Sequence, residues 1–167
     1  DDGLNDSSKV SAISILTGAC GHRGMVLGQE LDITADPKLT DEEYITKMHY
    51  LKTGKLMEAS LVLGFLNWQG FSEKYDLIQQ LGKSIGVGFQ IVDDFLDEFG
   101  NQDEIGKPVG SDLKNETINI LSIYDEDECK KIINEKHAKS VAIAEKLFDI
   151  DCDKDIFKII DYIYQRK

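Results

Sequence analysis

The stretch IGVGFQIVDDFLDEFG, residues 85–100, decides how this chain is read. Its first eight residues are apolar around most of a helical circumference, the mark of a buried helix rather than a surface one. They run straight into Asp93, Asp94, Asp97 and Glu98, with Gly100 as a stop. Carboxylates repel one another, and the C-terminal end of a helix disfavours negative charge. Something positive is therefore expected there. Asp93 and Asp97, four residues apart, project together, with Asp94 beside them and Gln90 one turn earlier. Acids at the end of a buried helix should point into a cavity inside a bundle. Mg²⁺ suits such a site, because it takes one or two carboxylates and fills its other positions with water and substrate phosphates. The plain alternative is a solvated, acidic helix end. YDEDE, residues 124–128, shows that alternative: a charge run opening a helix, where the dipole stabilises it.

Outward from this segment, the apolar residues recur at helical spacing and no stretch alternates with period two, so the fold class is all-α. A first helix is expected from Ser7 or Ser8 through SKVSAISILTGACGHRGMVLGQELD. Thr40 and Glu43 form a capping box for a second, TDEEYITKMHYLKTGKLMEASLVLGFLNW. Ser72 opens a third, ending near Gly100, and a loop follows, GNQDEIGKPVGSDLKNE. Residues 125–148 and 153–165 read as two closing helices. Glycine costs up to about 1 kcal/mol per helical position relative to alanine. Gly18, Gly21, Gly24 and Gly28 in the first helix, and Gly82, Gly86 and Gly88 in the third, thus point to close helix contact or to room for a ligand. The prolines, Pro37 and Pro108, lie in polar stretches.

The 167 residues suit a single all-α segment with a substantial core. No run of about 18 apolar residues exists, so no membrane span is expected. A polar, acidic start without Met reads as an internal beginning within a longer protein, not as a signal peptide. The net charge of −12 opposes a nucleic-acid partner but not an anionic substrate bound through bridging cations. Cys20, Cys129 and Cys152 lack zinc spacing and read as free, structural thiols of a reducing, cytoplasmic compartment. Asp1, Asp2 and Asp6 have no apolar helix before them and read as loop.

A diphosphate site needs cations besides metal. HYLKTGKLMEA puts Lys52 and Thr53 in mid-helix among apolar residues, where a lysine needs a partner or a snorkelling route to water. IGKPVGSD offers Lys107 among turn residues, with Asp112 behind it.

Taken in order, GMVLGQELD, KTGKL, GFQIVDDFLD and GKPVGSD resemble the motifs of trans-isoprenyl diphosphate synthases, from about residue 10 onward. The ending DYIYQRK is similar to that of bacterial short-chain farnesyl diphosphate synthases. The resemblance implies an isoprenoid-synthase helical bundle around a central cavity, homodimeric, of which this chain is the C-terminal part. It implies condensation of an allylic diphosphate with isopentenyl diphosphate, dependent on Mg²⁺. Carried over by motif, Asp93 ligates metal, and Asp94 and Asp97 support it directly or through water. Lys52 holds the allylic diphosphate, while Thr53 and Gln90 turn oxygen dipoles toward the developing cation. Lys107 covers the diphosphate with Asp112 behind it, and Gln29 and Asp32 line the same cavity.

Two departures stand out. LKNETINIL is shortened relative to the family pattern, which leaves Lys114 as a weak candidate for a second loop lysine. The N-terminal half, with the first aspartate motif, is absent, so the chain alone is expected not to turn over. The alternative from another class is a non-catalytic, prenyl-synthase-like partner subunit. Such subunits often lose the aspartates, whereas DDFLD is intact here. An unrelated Mg²⁺-dependent helical diphosphatase would fit the acids but not KTG and GQELD.

Overall fold

The computed structural model describes residues 5–36, 38, 41–67, 71–100, 118–148 and 154–166. All regular structure among them is helical, as the periodicity requires. The sequence expectations for Thr40, Pro37, Lys107, Pro108, Asp112, Lys114, Asp1, Asp2 and Cys152 fall outside the described residues.

Helix α1, Asp6–Cys20, begins earlier than expected because Asn5, not a serine, caps it: the Asn5 side chain accepts from the Ser8 N–H at 2.8 Å. Asp6 thus lies in the first turn of a helix rather than in a loop. The single long helix expected here is in fact two. It breaks at residues 21–24, and α2 runs over Met25–Thr34. Gly24 is the reason for the tight corner, since a Cβ there would stand 2.0 Å from the carbonyl oxygen of Ala19. By length and composition the stretch Asp6–Thr34 is apolar enough to cross a membrane. Its two pieces have 15 and 10 residues, each short of the roughly 20 a span needs.

Helix α3, Glu42–His49, is capped by Asp41, which accepts from the Tyr44 N–H at 2.8 Å. It continues through a π-helical turn, Tyr50–Gly54, into α4, Lys55–Phe65. Helix α5, Phe71–Phe99, is the axis of the molecule, within a residue of its expected bounds. After a 3₁₀ turn at Ile120–Ser122, α6 spans Glu126–Ala144 and α7 spans Lys154–Gln165. The acidic run at the start of α6 does what a helix N-terminus asks of it. Asp125 accepts from the Glu128 N–H, and Glu128 reaches back to the Asp125 N–H, a complete capping box.

Two apolar clusters meet on α5. Leu81, Ile85 and Val92 pack with Ile143, Ile160 and Ile163 of α6 and α7. Val87 and Ile91 pack with Ile45, Ile120 and Cys129 on its other side. Cys129 is fully buried, and desolvation pushes its thiol up to about 11, so it is inert at neutral pH. It and Cys20 are free.

Candidate functional site

Two glycine crossings build the site. At Gly28 of α2 a Cβ would lie 2.1 Å from the backbone nitrogen of Lys52, so only glycine lets α2 touch the π turn. Asp32 lies one turn beyond Gly28, and this contact brings it to the Lys52 ammonium at 2.8 Å. At Gly86 of α5 a Cβ would lie 2.3 Å from the Cα of Gly54. Thr53 precedes Gly54 and Gln90 follows Gly86 by one turn. The Thr53 hydroxyl accordingly donates to Gln90 Oε1 at 2.9 Å. The partner that a mid-helix lysine needs is thus Asp32, and the two short segments KTG and GQELD are held together backbone to backbone. π turns are rare and often mark functional positions; here one carries Lys52 and Thr53.

The acids divide between two faces of α5: Asp93 and Asp97 share one, and Asp94, expected beside them, turns to the other. Asp94 points inward and is 5% exposed. Its Oδ1 accepts from Gln90 Nε2 at 3.1 Å, and its Oδ2 accepts from the Ile120 N–H at 3.2 Å and lies 3.2 Å from His49 Nε2. Both oxygens are therefore occupied by protein donors. Asp93 and Asp97 stay half-buried on another face. The cation expected at this helix end arrives from the last turn of the chain. Arg166 donates to the Phe89 carbonyl at 2.8 Å, ten residues before the last residue of α5, and lies 3.4 Å from Asp93 Oδ1. Its guanidinium stacks 4.0 Å from the Phe89 ring centroid. Its Nε is buried without a partner among the described residues. Gln29 is exposed on α2, and its side chain makes no hydrogen bond among the described residues.

The sequence reading missed His49 and Arg166. His49 sits in an apolar stretch and resembles a core residue. Arg166 lies 73 residues from Asp93 along the chain, beyond the reach of any periodicity. Its signal was indirect: an acidic helix end in need of a positive partner.

Among the described residues no group of three or more His, Cys, Asp or Glu side chains forms a metal cage. The donors at the end of α5 are two half-buried carboxylates four residues apart. That set fits Mg²⁺, which keeps most of its shell for water and phosphate oxygens.

With this geometry the comparisons with known proteins are decisive. Residues 4–151 match the sequence profile of the polyprenyl synthetase family. The chain belongs to the polyprenyl synthetase family. A farnesyl diphosphate synthase of Micrococcus luteus is 32% identical over 163 residues, covering 98% of this chain and 55% of its own length. Geranylgeranyl pyrophosphate synthase 4 of Arabidopsis thaliana is 30% identical over 169 residues, 98% of this chain and 44% of its own. The geranyltransferase of Helicobacter pylori, solved with magnesium and isoprenyl diphosphate, superposes with a TM-score of 0.78. It is 23% identical and covers 99% of this chain and 53% of its own. The fold is the all-α isoprenoid-synthase fold, and the chain spans about half the length of the relatives it matches. Polyprenyl synthetases matched here include farnesyl and geranylgeranyl synthases, so the family is fixed more firmly than the product length.

Proposed function

We propose that this chain carries the diphosphate-binding half of a prenyltransferase site, within a longer synthase that condenses an allylic diphosphate with isopentenyl diphosphate to a geranyl or farnesyl product. The observation that carries this reading is the Thr53–Gln90 hydrogen bond beside the Gly54–Gly86 crossing. It locks the lysine–threonine turn against the helix that ends in Asp93 and Asp97.

In this reading Asp93 and Asp97 hold Mg²⁺, which when bound supplies Lewis-acid neutralisation of diphosphate oxygens. Lys52 gives the allylic diphosphate a charge-assisted contact, its ammonium aimed by Asp32. Thr53 donates its proton to Gln90, so the hydroxyl lone pairs are left for the carbocation that develops as the C–O bond breaks. The bond's electron pair leaves with the diphosphate, the homoallylic double bond forms the new C–C bond, and one proton departs. Asp94 serves by position: it fixes Gln90 and the chain at Ile120. Arg166, 3.4 Å from Asp93 Oδ1, offsets part of the charge of that carboxylate.

Binding tests this directly. Dimethylallyl diphosphate with Mg²⁺ should perturb the NMR resonances of Lys52, Thr53, Gln90, Asp93 and Asp97. Asp93→Ala should remove the Mg²⁺-dependent part of the affinity without lowering the melting temperature by more than a few degrees. Equal affinity with and without Mg²⁺, or an unaffected Asp93→Ala variant, would sink the assignment.

A further inference from the structure

On the flank of α5 away from its acidic end, a cavity of about 240 Å³ opens between α3, α5 and α6. Three lysines converge on it: Lys83 from α5, and Lys136 and Lys139, one turn apart on α6. The neutral lining includes Thr46, Gln80 and Ser84, and among the described residues no carboxylate contributes to the wall. Lys83 sits ten residues before Asp93, which at 1.5 Å per residue is about 15 Å along the helix. None of the lining residues is a member of the site described above, although Val87 on the cavity wall lies three residues before Gln90.

We propose that this cavity is a second anion site, built for a compact, multiply charged phosphate group such as diphosphate. Three ammonium groups around one cavity repel one another and must shed some hydration, which an incoming dianion or trianion would offset. None of the three forms an ion pair among the described residues, although the chain has 31 acidic residues against 19 basic ones. Lys83 instead lies 4.7 Å from the Tyr50 ring centroid, a contact that fixes its direction without cancelling its charge. The carboxylates that act on Lys136 are Glu42 and Glu135. Glu42 is engaged by the Tyr124 hydroxyl at 2.6 Å. Lys136 is held below the usual lysine range, first by desolvation and then by Lys139. An anion would reverse that shift.

The floor is rigid. Ser84 Oγ lies 2.8 Å from Ser140 Oγ, which lies 3.0 Å from the Tyr164 hydroxyl, and Tyr164 donates to the Ser84 carbonyl at 2.9 Å. This buried relay ties α5, α6 and α7 together under the cavity, so the lysine stems rise from fixed backbone. A net charge of −12 repels extended polyanions, which leaves a small anion as the ligand that a local positive patch can hold.

The experiment is a titration of the chain with inorganic diphosphate in EDTA, at fixed ionic strength, read by amide and lysine side-chain NMR. The expected result is saturable perturbation at Lys83, Ser84, Lys136 and Lys139, with at least a tenfold weaker Kd in K136Q/K139Q. Lys83→Gln, at an exposed position, gives the same reading with little risk to folding. A parallel titration with dimethylallyl diphosphate separates the sources. Equal affinity assigns the site to the free anion, and tighter binding of the prenyl compound assigns it to a prenyl diphosphate. An unchanged Kd in both lysine variants, or perturbations confined to the end of α5, would overturn the proposal.

Discussion

Helices α1 and α5 are both apolar and both carry glycine, Gly18 in α1 and Gly82, Gly86 and Gly88 in α5, yet they end in opposite situations. On α5 eleven residues are buried, and its glycines are crossing points. On α1 only Ala19 is buried, while Val10, Ile13 and Leu16 are 67%, 64% and 43% exposed. Met25, Val26 and Ile33 extend the exposed apolar face along α2. The lesson is that glycine and hydrophobicity alone do not tell a helix that is packed within the chain from one whose apolar side faces out of it. The neighbours of each glycine do.

The sharpest way to break the comparison is at Gly86. A methyl group there would meet the Cα of Gly54 at 2.3 Å, backbone against backbone, with no flexible side chain to yield. Overpacking typically costs about 1–3 kcal/mol, and a backbone-to-backbone clash belongs at the upper end of that range. Gly86→Val is expected to lose the cooperative unfolding transition or shift its urea midpoint accordingly. A midpoint equal to that of the unaltered chain would show that α5 and the π turn do not cross as described.

Asp94→Ala comes next. It strands the Gln90 amide, the Ile120 N–H and His49 Nε2 in a buried setting, and an unsatisfied buried donor costs about 1–3 kcal/mol. Some relaxation or water entry will lessen the total, so a loss of about 2–3 kcal/mol is expected by chemical denaturation. Asp97→Ala, in the half-buried row, should cost less than half of that. Equal losses in the two variants would erase the distinction between the inward and outward acids of α5.

These contrasts also show what could be read from the sequence. The end of α5 and the start of α6 were legible because each is set by local chemistry, an apolar run meeting acids and Gly100 or an acidic run at a helix N-terminus. Helix α6, by contrast, ends at Ala144, short of the expected residue 148. The KTG and DDFLD segments were legible as chemistry through their resemblance to a family. The break at residues 21–24 was not, because one helix and two helices bury the same periodic residues, and only the clash at Gly24 distinguishes them. The π turn was hidden for a similar reason. One extra residue per turn leaves no mark on composition, and the backbones that meet the turn, at Gly28 and Gly86, are distant in sequence. Asp94 was grouped with Asp93 and Asp97 because spacing gives neighbours on a helix, but a rotation of about 100° per residue sends adjacent acids to different faces. The segment with Lys107, Asp112 and Lys114 lies outside the described residues, so those roles rest on the resemblance alone.

A gain in stability should mark the other helix. An added Cβ at Gly18 of α1 meets nothing within 4 Å. Gly18→Ala therefore keeps the packing and recovers helix propensity, an expected stabilisation of about 0.5–1 kcal/mol. A loss instead would mean that α1 approaches another backbone at Gly18, as α5 does at Gly86.

The smallest effect is expected on the outer face of α1 itself. Ile13 is 64% exposed, so its replacement forfeits little buried area, and serine and isoleucine have similar helix propensities. The Thr17 hydroxyl bonds to the Ile13 carbonyl at 2.7 Å, a main-chain contact that any side chain leaves intact. Ile13→Ser should accordingly change the unfolding free energy by no more than about 0.5 kcal/mol, the ordinary range for surface positions. Water nevertheless meets a different surface. Val10, Ile13, Val26 and Ile33 give an apolar dye such as ANS a place to bind that the packed side of α5 does not offer. The double variant Ile13→Ser/Val26→Ser should lower ANS fluorescence markedly while its melting temperature stays within about 2–4 °C of the original. A drop in stability of more than 1 kcal/mol, with dye binding unchanged, would place these side chains in a packed interface within the chain. The difference between α1 and α5 would then lie in backbone approach alone, not in which face is buried.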